Sequence, residues 1–264
     1  MSPRHPCITL TTDYGDQDGY VAAMKGAILR IAPRATLVDV THHIPPQDIC
    51  AAAFILLSAY AAFPPGTMHV VVIDPGVGTA RRLVAAQMGR WTLLAPDNGV
   101  LDLVRRREGL RRAVAITNRR YAHPMISATF HGRDILAPAA AHLACGVPLS
   151  RLGPSIAALQ PLAWPQARRA ADGGQRGAIV YADRFGNLIT NLTAPTTTSP
   201  GRWVVRYRRR AYPLTETYAG AARNAILALA GSSGCVELAV REGSAQARLR
   251  ARRGDPVTLH RHAG

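Results

Sequence analysis

Met68 to Gly76, MHVVVIDPG, decides the fold: a run of Val and Ile without polar alternation stops on Asp74, Pro75 and Gly76. A strand apolar on both faces belongs in the middle of a sheet covered on both sides, and Asp-Pro-Gly is turn chemistry. On its N-terminal side, Cys7 to Thr12 reads as a first strand that runs into Asp13-Tyr14-Gly15. Gly19 to Ile31 then reads as a helix, with Val21, Met24, Ile28 and Ile31 on one face and Pro33 ending it. Thr36 to Val40 is a second strand and Pro46 to Phe63 a second helix. On the C-terminal side, Trp91 to Ala95 is a strand closed by Pro96-Asp97-Asn98-Gly99, Ala113 to Thr117 is strand-like, and Asp134 to Cys145 is helical up to Gly146. This alternation predicts an α/β domain with a largely parallel or mixed sheet.

The pattern changes after about residue 153. Gly153 to Gly177 is rich in Pro, Ala, Gly and Arg without periodicity, as a linker would be. Strand-like segments follow at Ala178 to Ala182, Leu188 to Leu192, Trp203 to Tyr207, Val236 to Val240 and Pro256 to His260, with one helix expected near Ala221 to Ala230. The expected organisation is an N-terminal α/β domain over 1–160, a linker over 161–176 and a smaller β-barrel or sandwich over 177–264.

With 264 residues, 48% of them hydrophobic, the chain can bury a substantial core. Its longest uncharged apolar stretch, Ile49 to Phe63, falls short of the ~18 residues that would suggest a membrane span. The opening residues MSPRHPCITLTTDYG lack the basic and apolar regions of a signal peptide, so a cytoplasmic location is expected. Cys7, Cys50, Cys145 and Cys235 are widely spaced and predict reduced thiols. The net charge of +16 invites a nucleic-acid-binding reading. Lys25 is the only lysine, however, and 31 of the 32 basic residues are arginine, which points to a chain-wide bias rather than a built groove. No aromatic RNA-binding signature accompanies the runs at 105–107, 111–112 and 208–210, so solvated faces are expected there.

In open α/β sheets, ligands bind beyond the carboxyl ends of the strands. Asp13 and Asp74 both fall on that edge, where a carboxylate can accept from a ribose diol or cap the following turn. Asp74 opens DPGVGTARR, whose turn residues let Arg81 fold back, and His131 stands in TFHGRD before a helix, at what reads as a strand-to-helix junction. Spacing alone leaves an Asp-Arg ion pair and a solitary histidine. Asp13, Asp16, Asp18, Asp39, His42 and His43 are hard ligands close in sequence, but they form neither HExxH nor an EF-hand loop. Neither GxGxxG nor GxxxxGK[ST] occurs, and no metal or cofactor is expected.

Taken together, TTDYGDQDGYVAAMKGAI, DVTHHIPPQDI, VVIDPGVGTARR, APDNGVL, TFHGRDILAPAAAHLACG and YADRFGNLITN resemble the S-adenosyl-L-methionine hydroxide adenosyltransferase family, water-using relatives of the fluorinase and chlorinase. The resemblance runs from residue 8 to about residue 245. It implies hydrolysis of S-adenosyl-L-methionine to adenosine and methionine, a C-terminal β-barrel, and a homotrimer with active sites at subunit interfaces. It further implies that Asp74, Arg81 and His131 activate the water and that Asp13 holds the ribose diol. Asp183 would receive the methionine ammonium, Asn187 the adenine, and Ser232 the methionine carboxylate. The halogenating relatives carry tyrosines at the positions of Asp74 and His131, which favours hydrolysis over halide-dependent cleavage. A basic nucleic-acid-binding module without catalysis is the alternative from a different class.

Overall fold

The computed structural model describes residues 5–171, 173–195 and 203–261. The chain ends of both expected domains, 1–4 and 262–264, and Asp172 of the expected linker lie outside the described residues. The chain separates into two compact units, Met1–Ala163 and Trp164–Gly264.

The first unit runs β1 (Cys7–Thr12), α1 (Tyr20–Ile31), β2 (Thr36–Thr41), α2 (Ile49–Ala59), β3 (Met68–Val72), β4 (Leu83–Met88), β5 (Trp91–Pro96), α3 (Asp102–Glu108), β6 (Leu110–Ala115) and α4 (Ala137–Ala144). Its six-stranded sheet has the order β2-β1-β3-β5-β4-β6. The pairs β1–β2, β1–β3 and β3–β5 are parallel, whereas β4 pairs antiparallel with β5 and β6. The Val-rich strand is therefore central, as its two-sided hydrophobicity requires. Met68, Val70 and Val72 face a core that includes Met24 and Ile28 of α1 and the alanines of α4. His69, on the other face, meets the rings of Tyr60 and Phe63 beyond α2. The second helix is shorter than its apolar run: Asp48 caps it by accepting from the Ala51 amide at 2.9 Å, and it tightens into a 3₁₀ turn at Tyr60–Ala62.

Part of the aperiodic stretch after residue 153 is fastened to this unit. Asp97 accepts from the Gln160 amide at 2.8 Å and Asp102 from the Leu162 amide at 3.0 Å, while Leu159 and Leu162 are buried. Asp102 also pairs with Arg105 and Arg106, so much of the 105–107 run serves to hold this segment in place.

The second unit comprises β7 (Arg168–Arg169), β8 (Gln175–Ala182), β9 (Leu188–Thr193), β10 (Trp203–Tyr207), β11 (Arg210–Thr215), β12 (Ile226–Ala230), β13 (Cys235–Val240), α5 (Ala245–Leu249) and β14 (Pro256–Arg261). Seven strands close in the order β14-β10-β11-β12-β13-β9-β8, with β8 returning to β14 and β7 added beside β8. The helix expected near Ala221 to Ala230 is a correction. Tyr218–Gly220 is a 3₁₀ turn, Asn224 adopts φ +60°, and Ile226–Ala230 is a strand paired with β11 and β13. A short Ala/Leu/Ile run carries no periodicity that separates a buried strand from a helix, and barrel closure decides it.

All four cysteines are free thiols. Among the described residues no helix is long and apolar enough to cross a membrane.

Candidate active site

Because Thr12 pairs with Val72 in parallel register, Asp13 and Asp74 emerge at the same edge of the sheet. The turn after β3 is tied by amide bonds from Val77 to the Asp74 carbonyl and from Thr79 to the Gly76 carbonyl, both 3.1 Å. Gly76 leaves room for Arg81: a Cβ there would lie 3.3 Å from Arg81 Cδ, a tight contact. Gly78, at φ +81°, packs so closely on the Ala128 carbonyl that a Cβ would stand 3.0 Å away. The first glycine lets Arg81 fold back over Asp74, and the second brings the segment leading to His131 against the turn.

Arg81 Nε donates to Asp74 Oδ1 at 2.7 Å, and Nη2 donates to Oδ2, a two-pronged ion pair. Both side chains are nearly buried, at 12% and 8% exposure. Arg81 Nη2 also lies 2.8 Å from His131 Nδ1. A guanidinium has no lone pair to offer, so Nδ1 must accept, and the imidazole is the neutral Nε2–H form. Burial and the adjacent guanidinium both push the His131 pKa below the ordinary histidine value, in keeping with that form.

His131 lies between the strand expected near Ala113 and the helix, but at a distance from the strand: β6 ends at Ala115 and a loop with a 3₁₀ turn at Arg119–Tyr121 follows. Buried Asp134 organises that loop by accepting from the Ser127 amide at 2.8 Å and from Arg133 at 2.6 Å. His131 precedes a π-helical turn, Gly132–Leu136, that leads into α4.

Asp13 is half-buried, and its Oδ2 accepts from the Gln47 amide at 2.8 Å. Its other oxygen has no hydrogen bond among the described residues. Of the acidic and histidine residues weighed as metal ligands, Asp39 pairs with Lys25 at 2.5 Å and with His42 at 3.1 Å, and His42 Nδ1 meets Thr12 Oγ1. Among the described residues no three His, Cys, Asp or Glu side chains converge as a metal site would.

In the barrel unit, Asp183 and Asn187 share the turn between β8 and β9. Asp183 Oδ1 accepts from the amides of Phe185 and Asn187 at 2.9 and 2.8 Å, and Oδ2 accepts from Asn187 Nδ2 at 2.9 Å. Asn187 is buried, and its Nδ2 also reaches Tyr218 Oη at 3.4 Å. Tyr218 in turn donates to Glu237 at 2.6 Å. Burial and the nearby Asp183 charge hold the Glu237 carboxyl above its usual range. Ser232 is exposed in the β12–β13 turn, whose neighbour Cys235 pairs with Thr193 at the far end of β9 from Asn187. The ladder thus separates Ser232 from the Asp183–Asn187 turn, although Glu237 Oε2 lies 2.7 Å from where a Cβ on Gly231 would be. The sequence reading missed Tyr218 and Glu237, which only barrel pairing brings beside Asn187.

Comparison with known proteins places this geometry in context. The family model described as the SAM hydroxide adenosyltransferase N-terminal domain matches residues 8–153, and that for the C-terminal domain matches residues 177–258. An (R)-S-adenosyl-L-methionine hydrolase from Thermus thermophilus is 40% identical over 260 residues, covering 94% of this chain and 97% of that protein. One from Salinispora tropica is 40% identical over 262 residues, covering 98% and 99%. A fluorinase from an Actinoplanes species is 31% identical across 71% of this chain and 72% of its own. The crystal structure of an uncharacterized conserved protein from Thermotoga maritima superposes with a TM-score of 0.89 at 32% identity, covering 96% of this chain and 100% of that one.

Proposed function

Because the chain belongs to the SAM hydroxide adenosyltransferase family, we propose that it hydrolyses S-adenosyl-L-methionine to adenosine and L-methionine, with Asp74, Arg81 and His131 handling the water. The observation that carries the proposal is the nearly buried Asp74–Arg81 pair with His131 bonded to the same guanidinium. In the reaction the water oxygen bonds to ribose C5′ while the C5′–S bond breaks, and its electron pair neutralises the sulfonium as a thioether. No general acid is needed for such a leaving group. The nucleophile is the difficulty, since water must be stripped of solvent and held in line with the breaking bond.

Asp74 retains lone pairs beyond those used by Arg81, and a carboxylate fixed on two sides can hold a water proton in one direction. His131 has its Nδ1 lone pair committed to Arg81 and a proton on Nε2, so it serves as a donor that fixes orientation. The water proton therefore goes to Asp74 and from there to solvent. A fixed carboxylate at this place would repel a halide ion, which favours water as nucleophile.

Asp13, with one oxygen spent on Gln47, keeps the other for the ribose diol. Asp183 and Asn187 are assigned to the methionine ammonium and the adenine; Asn187 Oδ1 suits the exocyclic amine as an acceptor. Ser232 is assigned to the methionine carboxylate on the family resemblance alone, since that carboxylate shares a carbon with the ammonium and the β9 ladder separates Ser232 from Asp183. A homotrimer with sites between subunits and a cytoplasmic location complete the proposal; light scattering tests the assembly. The deciding experiment is incubation with S-adenosyl-L-methionine in ¹⁸O-labelled water. Label in the adenosine 5′-hydroxyl is expected; unlabelled adenosine, or a 5′-halo product on adding chloride or fluoride, would overturn the assignment.

A further inference from the structure

The residue after Asp13 carries a hydroxyl that the roles above leave unused. Tyr14 is half-buried, with its ring packed against Tyr20 and Phe130 at centroid distances of 5.6 and 5.8 Å. Tyr20 and Phe130 meet edge-on at 5.3 Å, so three aromatic rings fix the direction of the phenol. Phe130 immediately precedes His131. The hydroxyl points at Gly132 on the other side of that histidine: a Cβ on Gly132 would lie 2.8 Å from Tyr14 Oη, 3.1 Å from Val72 Cγ1 and 3.4 Å from Met24 Sδ. A side chain at Gly132 would therefore meet the phenol.

The same oxygen has no hydrogen-bond partner among the described residues, yet it is not one of the unpartnered atoms sealed from solvent. A tyrosine whose body is clamped by aromatic packing and whose hydroxyl is open and unpaired is arranged to meet something that is not protein. Burial and the charges of Asp13 and Asp74 raise its pKa, so the group is a neutral phenol that can both accept and donate.

Resting on the hydrolysis reading above, we propose that Tyr14 is a further water-positioning residue: its hydroxyl accepts one hydrogen bond of the attacking water while Asp74 accepts the other. With both hydrogens held, a lone pair of the water is left for C5′. The water proton passes to Asp74 as the O–C5′ bond forms, and Tyr14 neither gains nor loses a proton. One neutral hydrogen bond present in the transition state corresponds to a fall in turnover of about 3- to 10-fold when removed.

The test compares wild type with Tyr14→Phe, which keeps the ring and removes the oxygen. The expected result is kcat lowered about 3- to 10-fold, with KM, adenosine affinity by calorimetry and melting temperature unchanged. Gly132→Ala supplies a second arm: its methyl meets the hydroxyl in wild type but not in Tyr14→Phe, so the double variant is expected to lose less than the product of the two single losses. Equal kcat in Tyr14→Phe and wild type overturns the inference while leaving the hydrolysis reading intact, and so does a kcat loss matched by weaker adenosine binding and a lower melting temperature. Strictly multiplicative losses overturn the Tyr14–Gly132 coupling. Wild type that forms no adenosine sinks the hydrolysis reading and this inference with it.

Discussion

Arg81 donates to His131 Nδ1 at 2.8 Å with the same Nη2 that grips Asp74. That relationship assigns the imidazole tautomer without reference to a ligand, because the guanidinium is a donor only. Protonating His131 would set a cation on Nδ1 against Arg81 and break the bond. The neutral imidazole is then the competent form, and its lowered pKa keeps it neutral below the ordinary value of about 6.5. Activity is accordingly expected to stay level from alkaline pH down through about 6.5 and to fall only in more acidic buffer. A profile of kcat/KM between pH 5 and 9 checks this; an inflection above pH 7 would mean that the imidazole is protonated at neutral pH and would overturn the neutral form assigned to it.

Asp74→Asn keeps the shape of the side chain and removes the charge that holds Arg81 and, in the proposed mechanism, the water. Turnover is expected to fall by about 100-fold or more, in the range for a positioned proton acceptor, with a much smaller change in KM. His131→Ala removes a positioning contact and is expected to cost less, about 10-fold. Steady-state kinetics that ranked the two variants in the opposite order would transfer the proton to His131.

Asp13 uses one oxygen on the Gln47 amide, and Gln47 adopts φ +65° to present that amide. The carboxylate is thereby aimed before any ligand arrives. A hydrogen bond to a charged acceptor is worth about 1.5–3 kcal/mol, so the 2′-deoxy analogue of the substrate is expected to bind at least about 10-fold more weakly than the parent. In Asp13→Ala the two should bind alike. Calorimetry on the four combinations measures this, and equal affinity of both ligands for wild type removes the diol contact.

Much of this architecture was legible in the chain, and the limits are physical. The Val-rich strand and the Met24/Ile28 face of α1 declare themselves because their periodicity is their burial. β4 does not: its Leu83-Val84-Ala85-Ala86 run is buried on both faces, so no polar alternation marks it as a strand. The Ala221 to Ala230 forecast failed for the same reason, with closure of the barrel choosing between two conformations that the local residues permit equally. At the site, DPGVGTARR held a readable turn, but what joins Arg81 to His131 is the loop organised by Asp134, fifty residues further along the chain from the turn. Contacts of that separation leave no pattern in a single sequence, and it was the ordered motifs of a family that brought the three residues together.

Asp183 has a structural role that must be separated from the one proposed for it. Its carboxylate accepts two amides of its own turn and the side chain of Asn187, so it would be well placed there if it met no substrate at all. Loss of activity in Asp183→Asn therefore assigns nothing by itself, because the turn presenting Asn187 changes too. The discriminating quantity is a coupling. Wild type is expected to bind a substrate analogue lacking the α-amino group about 10-fold more weakly than the parent, as the loss of one charge-assisted hydrogen bond requires. In Asp183→Asn both ligands lose whatever the disturbed turn costs, and the difference between them should shrink toward zero if the ammonium meets this carboxylate. An undiminished difference in the variant would mean that the ammonium is held elsewhere and that Asp183 serves the turn alone.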